Sequence, residues 1–317
     1  MTSNAYLVWL EWPERCFRAS AGDMRFLESQ VPAGSRVLRV RSEKAFLREL
    51  PNATHAIVWN FSKEWFSLAP RLKVLATPAA GREFVPEKGP KGVKIHFGAF
   101  HGPIIAESVV AFVLSWARGF FALRNAPENV SHWPRTWLSD KCSLVSGTRA
   151  VIAGFGNIGR SIGEKLSALG VSVTGITRHG CFRGVKRKVP ISEEELKGDI
   201  ANADWFIMAL PSDTGTDGFF GSALISRLPR KCVLVNVGRG NSVDEKTLYK
   251  ALKSRRIAGA YLDVRRSEPS ATILETPGFV PELAELSNCI LTPHSSAFDG
   301  GYVRSCFDEL NKKGLLA

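Results

Sequence analysis

The run Val151-Ile152-Ala153-Gly154-Phe155-Gly156-Asn157-Ile158-Gly159 carries three glycines in GxGxxG spacing. An apolar, β-branched stretch at 150–153 precedes it and reads as a buried strand. A helical pattern at 158–169 follows, and Gly170 closes that helix before a second strand at 172–176. Strand, glycine turn, helix and strand in this order form a βαβ unit that binds a dinucleotide. Gly154 gives the tight turn, Gly156 lets the backbone approach a pyrophosphate, and Gly159 lets helix and strand pack closely. The pyrophosphate would sit on the helix N-terminus, where N–H groups and the helix dipole attract negative charge. Phe155, Asn157 and Ile158 fall in the same turn and count with the glycines as cofactor-binding candidates.

Outward from this unit, short apolar runs alternate with helical patterns through the chain, which is the α/β signature of parallel sheets. Before it, strands are predicted at 6–10, 37–40, 56–59, 73–76 and 94–97. A long, almost wholly apolar helix is predicted at 104–123, to be buried at a domain or subunit junction. A polar, Trp-bearing excursion occupies 124–146. After the glycine turn, strands are predicted at 205–209, 233–237, 259–264 and 289–291, with helices at 192–197, 222–227 and 244–252.

The end of the strand at 172–176 bears on the cofactor. Enzymes that use NAD usually carry Asp or Glu there, about 20 residues past the first glycine, bonded to the ribose 2′-hydroxyl. This chain has Thr177 and Arg178 instead, and Arg183, Lys186, Arg187 and Lys188 follow. A guanidinium fork binds a 2′-phosphate that a carboxylate would repel. NADP is therefore the expected cofactor, with NAD the alternative.

Three further stretches place chemistry at strand ends, where open α/β sheets bind ligands. In NVGRGNSVDE (236–245) Arg239 stands between glycines just past an apolar strand. In GAYLDVRRSEP (259–269) Glu268 follows another strand end. In LTPH (291–294) His294 does the same. With GFGNIG and LPSDTGT (210–216), these motifs resemble the D-isomer-specific 2-hydroxyacid dehydrogenase family, in that family's order, over roughly 102–300. LKVLATPAAG (72–81) resembles its substrate loop more weakly.

The resemblance implies roles that the residue types support. Arg239 would clamp the substrate carboxylate. His294 would protonate the carbonyl oxygen during reduction and act as base in reverse. Glu268 would orient the His294 ring and raise its pKa. Ala80 and Gly81 would help hold the carboxylate through backbone N–H groups. Pro211, Thr214, Thr216, Val237 and Asp263 would line the cofactor. The implied fold is α/β: two Rossmann-like domains with parallel sheets and an interdomain active-site cleft. A flavodoxin-like substrate domain would hold 1–102 and 293–317, and the dinucleotide domain 103–292. The segment between Glu268 and His294 is longer than is common in the family and carries Pro277, Gly278 and Pro281.

Composition frames this reading. A length of 317 residues fits about two domains. Hydrophobic residues at 44% and charged residues at 23% exclude wholesale disorder. The formal charge of +12 favours anionic partners without choosing among them. No recognised nucleic-acid-binding motif is present. The longest apolar run, 109–117, is far short of the roughly 20 residues that span a bilayer, so no membrane association is expected. The six cysteines form no CxxC pair, so no metal site is expected and reduced thiols in the cytoplasm are the plain reading.

The expected function is reduction of a small 2-oxo acid, of the glyoxylate/hydroxypyruvate class, to the D-2-hydroxy acid by a homodimer. The alternatives are a dehydrogenase for another acid or with NAD, and a non-catalytic, corepressor-like module that senses the dinucleotide.

Overall fold

The computed structural model describes residues 4–127, 133–266 and 281–317. The chain divides into two compact units, Met1–His101 with Phe298–Ala317, and Gly102–Ala297.

In the first unit β1 (Ala5–Trp9), α1 (Ala21–Gln30), β2 (Arg36–Arg39), α2 (Glu43–Glu49), β3 (His55–Val58), β4 (Val74–Thr77) and β5 (Lys94–Phe97) follow one another. The strands pair in the order β2-β1-β3-β4-β5, all parallel. This is the flavodoxin-like order. Each strand lies within one residue of its predicted position. The reason is local: β3 and β4 are buried throughout and, apart from His55 and Thr77 at their ends, apolar, and a strand covered on both faces reads as a continuous apolar run. Ser20 starts α1 with a capping box, accepting from the Asp23 N–H while the Asp23 carboxylate accepts from the Ser20 N–H.

The second unit contains α3 (His101–Ala117) from Gly102 onward, then α4 (Phe120–Arg124), α5 (Arg135–Ser139), β6 (Arg149–Ala153), α6 (Asn157–Ala168), β7 (Ser172–Thr177), β8 (Gly180–Arg183) and β9 (Val189–Ile191). It continues with α7 (Glu193–Ala201), β10 (Trp205–Met208), α8 (Ser222–Ile225), β11 (Val233–Asn236), α9 (Glu245–Lys253), β12 (Gly259–Leu262) and β13 (Cys289–Leu291). Its sheet runs β13-β12-β11-β10-β6-β7-β8-β9. The pairs from β13 to β7 are parallel, and β8 and β9 add an antiparallel edge. The chain leaves β6 for β7 on one side and later returns to β10 on the other. The switch point, where such sheets bind ligands, therefore lies at the C-terminal ends of β6 and β10.

The single helix expected at 104–123 is two. Gly119 takes a left-handed backbone, φ 73°, that ends α3 and starts α4. Within α3, Ile105, Ala106, Val109, Phe112, Val113 and Ala117 are buried, and Phe112 stacks on Tyr261 of β12 with centroids 4.9 Å apart. The last helix, α10 (Tyr302–Lys312), belongs to the first unit. Its Arg304 pairs with Asp23 at 3.2 Å, and the Tyr6 hydroxyl donates to the Leu316 carbonyl at 2.7 Å. The second crossing between units falls at Ala297–Phe298 rather than at 292–293. Hydrogen bonds to Asp263 hold 292–296 in the second unit.

Candidate active site

The glycine turn joins β6 to α6 at the switch point. Gly154 has φ 88°, and a methyl group on it would lie 2.5 Å from the Ala209 carbonyl oxygen, just past β10. A side chain is excluded there by both backbone and space. A methyl on Gly159 would overlap the Gly154 carbonyl, whereas one on Gly156 would meet nothing within 4 Å. Gly156 caps α6 without a side-chain bond. The first-turn N–H groups of a helix have no intrahelical acceptors. An open cradle at an uncapped helix start suits a pyrophosphate, so the residues present fit a dinucleotide. Phe155 plays a different part from its neighbours. Its ring is buried against Phe182, at 4.9 Å, and its N–H donates to the Ile176 carbonyl.

Arg239 follows β11, whose last residue, Asn236, is fully buried. The Asn236 amide donates to the Arg239 carbonyl at 3.1 Å and accepts from the Gly238 N–H at 3.1 Å. The Ser242 hydroxyl donates to the same Arg239 carbonyl at 2.6 Å. The turn is therefore gripped from below and the half-buried guanidinium is aimed from a fixed backbone. Asn236 and Ser242 were given no role from sequence. The signal was there in Asn236, a polar residue closing the otherwise apolar VLVN strand. Val237 is buried, its N–H donating to the Met208 carbonyl at 3.0 Å.

His294 is exposed beyond β13 and has φ 52°. A left-handed backbone is uncommon outside glycine, and such residues cluster at functional sites. Its N–H donates to the Asp263 carbonyl at 2.9 Å. The Asp263 carboxylate, 1% exposed, accepts from the Thr292 hydroxyl at 2.6 Å, the Ser295 N–H at 2.8 Å, the Ser296 N–H at 3.1 Å and the Ser296 hydroxyl. Asp263, expected to line the cofactor, thus moors the loop that carries His294. The Tyr261 hydroxyl lies 3.1 Å from that of Thr292. Burial, reinforced by the Asp263 charge, pushes the Tyr261 phenol up to about 12, which keeps it neutral at this junction.

Glu268 lies outside the described residues, as do Pro277 and Gly278. The backbone leading to Glu268 is nonetheless anchored. Arg265 makes a buried, two-pronged pair with Glu245 at 2.9 and 2.8 Å, and the Arg266 N–H donates to Glu245 at 2.9 Å. In the first unit, Ala80 and Gly81 follow β4. The Thr77 hydroxyl there accepts from the Ala79 N–H at 3.2 Å and shapes the start of that loop.

The adenosine end departs furthest from expectation. The Thr177 hydroxyl donates to the Gly180 carbonyl at 2.8 Å and is spent on the turn between β7 and β8. The basic run 183–188 was expected to cluster with Arg178 where a 2′-phosphate would lie. It forms a hairpin instead, which carries it back toward the start of β7, since Arg183 lies opposite Thr174. Arg183 is held by Asp199 at 2.9 Å and Glu195 at 3.1 Å, and Lys188 lies over the Phe182 ring at 4.8 Å. Arg178 alone of the cations expected to form this cluster stays at the end of β7, paired with Asp213. Thr216 is buried and its hydroxyl donates to the Pro211 carbonyl at 2.8 Å, bracing the exposed 211–216 turn from inside; Thr214 is exposed on it. A separate cavity of about 400 Å³ opens at the other end of the sheet, beside Arg149, Ser172 and Thr174. Arg183, Asp199 and Glu195, which also line it, satisfy one another.

A Rossmann-type unit with a guanidinium, an imidazole and a glycine cradle at its strand ends defines a dehydrogenase. The chain belongs to the D-isomer specific 2-hydroxyacid dehydrogenase family, whose NAD binding domain matches residues 110–296. It is an NAD(P)-dependent oxidoreductase. It is similar to the glyoxylate reductase of Thermococcus gammatolerans, with 28% identity over 309 residues, 92% of this chain and 84% of that protein. The fold is that of the D-isomer specific 2-hydroxyacid dehydrogenase from Lactobacillus delbrueckii ssp. bulgaricus, solved with NAD: TM-score 0.76, 19% identity, covering 98% of this chain and 96% of that one. A probable 2-hydroxyacid dehydrogenase from Rhizobium etli, solved with NADP, HEPES and L(+)-tartaric acid, gives a TM-score of 0.72 at 23% identity, covering 99% and 94%. Among the described residues no helix is long and apolar enough to cross a membrane.

Proposed function

We propose that the enzyme reduces a small 2-oxo acid of the glyoxylate/hydroxypyruvate class to the D-2-hydroxy acid, with NADPH preferred over NADH. The observation that carries the reading is a pair of anchored side-chain positions past β11 and β13, the two strands that flank β12 in one sheet: Arg239, its carbonyl gripped by Asn236 and Ser242, and His294, its loop moored to Asp263. Similarity to glyoxylate reductases over most of the chain supports the substrate class.

When bound, the nicotinamide supplies a hydride to C2 of the substrate. The 154–159 turn and the start of α6 would hold the pyrophosphate. The Arg239 guanidinium would bind the carboxylate with a permanent charge and draw electron density from the adjacent carbonyl. Ala80 and Gly81 would contribute backbone N–H groups. His294 would deliver a proton to the carbonyl oxygen, with Glu268 fixing the ring. The active form is proposed to be a homodimer. Exposed apolar side chains in the segment that follows α3 support this, with Phe120 at 62%, Trp133 at 84% and Leu144 at 73% exposure.

The test is oxidation of NADPH and of NADH with glyoxylate, hydroxypyruvate and bulkier 2-oxo acids. Turnover is expected to be highest with the two small acids and NADPH. Arg239→Ala should raise KM for the acid and lower kcat/KM by at least about a hundredfold, on the order of a lost charge-assisted pair. His294→Asn, which tolerates a left-handed backbone, should cost about 10²–10⁴-fold in kcat. Turnover unchanged in either variant refutes its assigned role. Dinucleotide binding with no turnover on any acid would favour the sensing module instead.

A further inference from the structure

At the end of β7 a guanidinium meets a carboxylate that the sequence pattern does not place there. Arg178 pairs through Nη2 with Asp213 Oδ2. Arg178 is exposed, while Asp213 is more covered and fixed in its turn. Its Oδ1 accepts from the Gly215 N–H at 2.9 Å, and its own N–H donates to the Thr216 hydroxyl at 3.1 Å. The two residues come from loops that follow β7 and β10, strands that flank β6 on either side. The pair thus stands beside the switch point, at the strand end where the adenosine ribose is read.

We propose that Asp213 is the specificity-determining counter-ion of this site and sets how strongly it prefers a 2′-phosphate over a 2′-hydroxyl. This rests on the reading of the 154–159 turn as a dinucleotide cradle. A 2′-phosphate must take Arg178 away from Asp213 and then lie beside a carboxylate that its turn holds in place. A ribose 2′-hydroxyl asks for no such exchange and finds in Asp213 the acceptor that Thr177 and Arg178 do not supply. The chain therefore carries a phosphate-binding cation and its antagonist in one contact. With Arg183 and Lys188 engaged elsewhere, Asp213 bears directly on the cation left at this end.

Asp213→Asn isolates the charge, because the amide oxygen still accepts from the Gly215 N–H. Binding of 2′,5′-ADP and of 5′-ADP to the wild type and the variant, measured by titration calorimetry, reads the effect without turnover. Asp213→Asn is expected to tighten 2′,5′-ADP about tenfold and to leave 5′-ADP within about twofold. Arg178→Ala should weaken 2′,5′-ADP and abolish most of the gain when combined with Asp213→Asn. The ratio of kcat/KM for NADPH over NADH should move in parallel. Equal changes for both nucleotides, or no change for 2′,5′-ADP, would overturn the proposal. If neither nucleotide binds the wild type, the dinucleotide cradle fails and this assignment with it. If both bind as expected but no 2-oxo acid is reduced, only the substrate reading falls.

Discussion

Asp263 shows how much one residue's work depends on contacts far along the chain. From sequence it belongs to a motif and a strand end. In the structure its carboxylate gathers donors from Thr292, Ser295 and Ser296, and its carbonyl accepts from the His294 N–H. The left-handed backbone at His294 persists because these bonds over-determine it. Asp263→Asn should turn an amide NH₂ toward N–H donors and leave at least one unpaired, a loss of about 1–3 kcal/mol. Thermal unfolding should report that loss, and kcat should fall by about tenfold or more with KM for the dinucleotide little changed. A variant with wild-type kcat would show that the loop does not need its mooring. Arg239 and His294 were legible because a polar residue just past an apolar strand is conspicuous. The Asp263 mooring and the Arg178–Asp213 pair were not, because both join loops distant in sequence and leave no local pattern.

Strands were the most legible elements. Those buried on both faces announce themselves as unbroken apolar runs, and their ends fell within a residue or two of expectation. The exceptions are instructive. Strands β8 and β9 are only four and three residues long, lie at the edge of the sheet and flank the basic stretch 184–188, and β9 contains Pro190, which an edge strand tolerates. Runs this short, interrupted by Gly180 and Pro190 and next to Lys186, Arg187 and Lys188, do not stand out from a loop. The break after α3 was hidden because Gly119 sits among residues that favour helix on both sides. At the element scale, β3 supplies a pH test. His55 is buried there, stacked on Tyr6 at 4.3 Å with Nδ1 2.8 Å from the Thr54 hydroxyl. Burial, helped by the Lys73 charge, pulls its imidazole down to about 4. Between about pH 6.5 and 4 the unfolded chain binds a proton that the folded one lacks. Stability contributed by this residue is therefore present above that window and lost as pH falls through it. Urea midpoints at about pH 7 and about pH 5 should differ more for the wild type than for His55→Phe. Equal differences would show that acid lability arises elsewhere.

For the whole molecule, the +12 charge first suggested any anionic partner. The structure divides it into cations with tasks and cations that are merely balanced. Arg239 stands at a strand end and Arg178 faces its counter-ion, while Arg183, Arg265 and Arg304 are paired within the fold. Assembly is the matching question for apolar surface. The Ser143 N–H donates to the Ala117 carbonyl at 2.7 Å, which brings Leu144 to the end of α3 near Phe120. Large apolar side chains left in water there favour a second copy. Light scattering is expected to give twice the chain mass for the wild type, and a shift toward the monomer for Phe120→Ser with Leu144→Ser. A wild-type monomer at micromolar concentration would contradict the proposed dimer.

The mooring of 292–296 has one more consequence. Because those residues stay with the second unit, Arg239, His294 and the glycine cradle all travel on a single folded piece, Gly102–Ala297. Ala80 and Gly81 travel on the other. A chimera that exchanges the first unit, at His101–Gly102 and Ala297–Phe298, would therefore replace Ala80 and Gly81 while keeping Arg239, His294 and the 154–159 turn together on one transplantable piece.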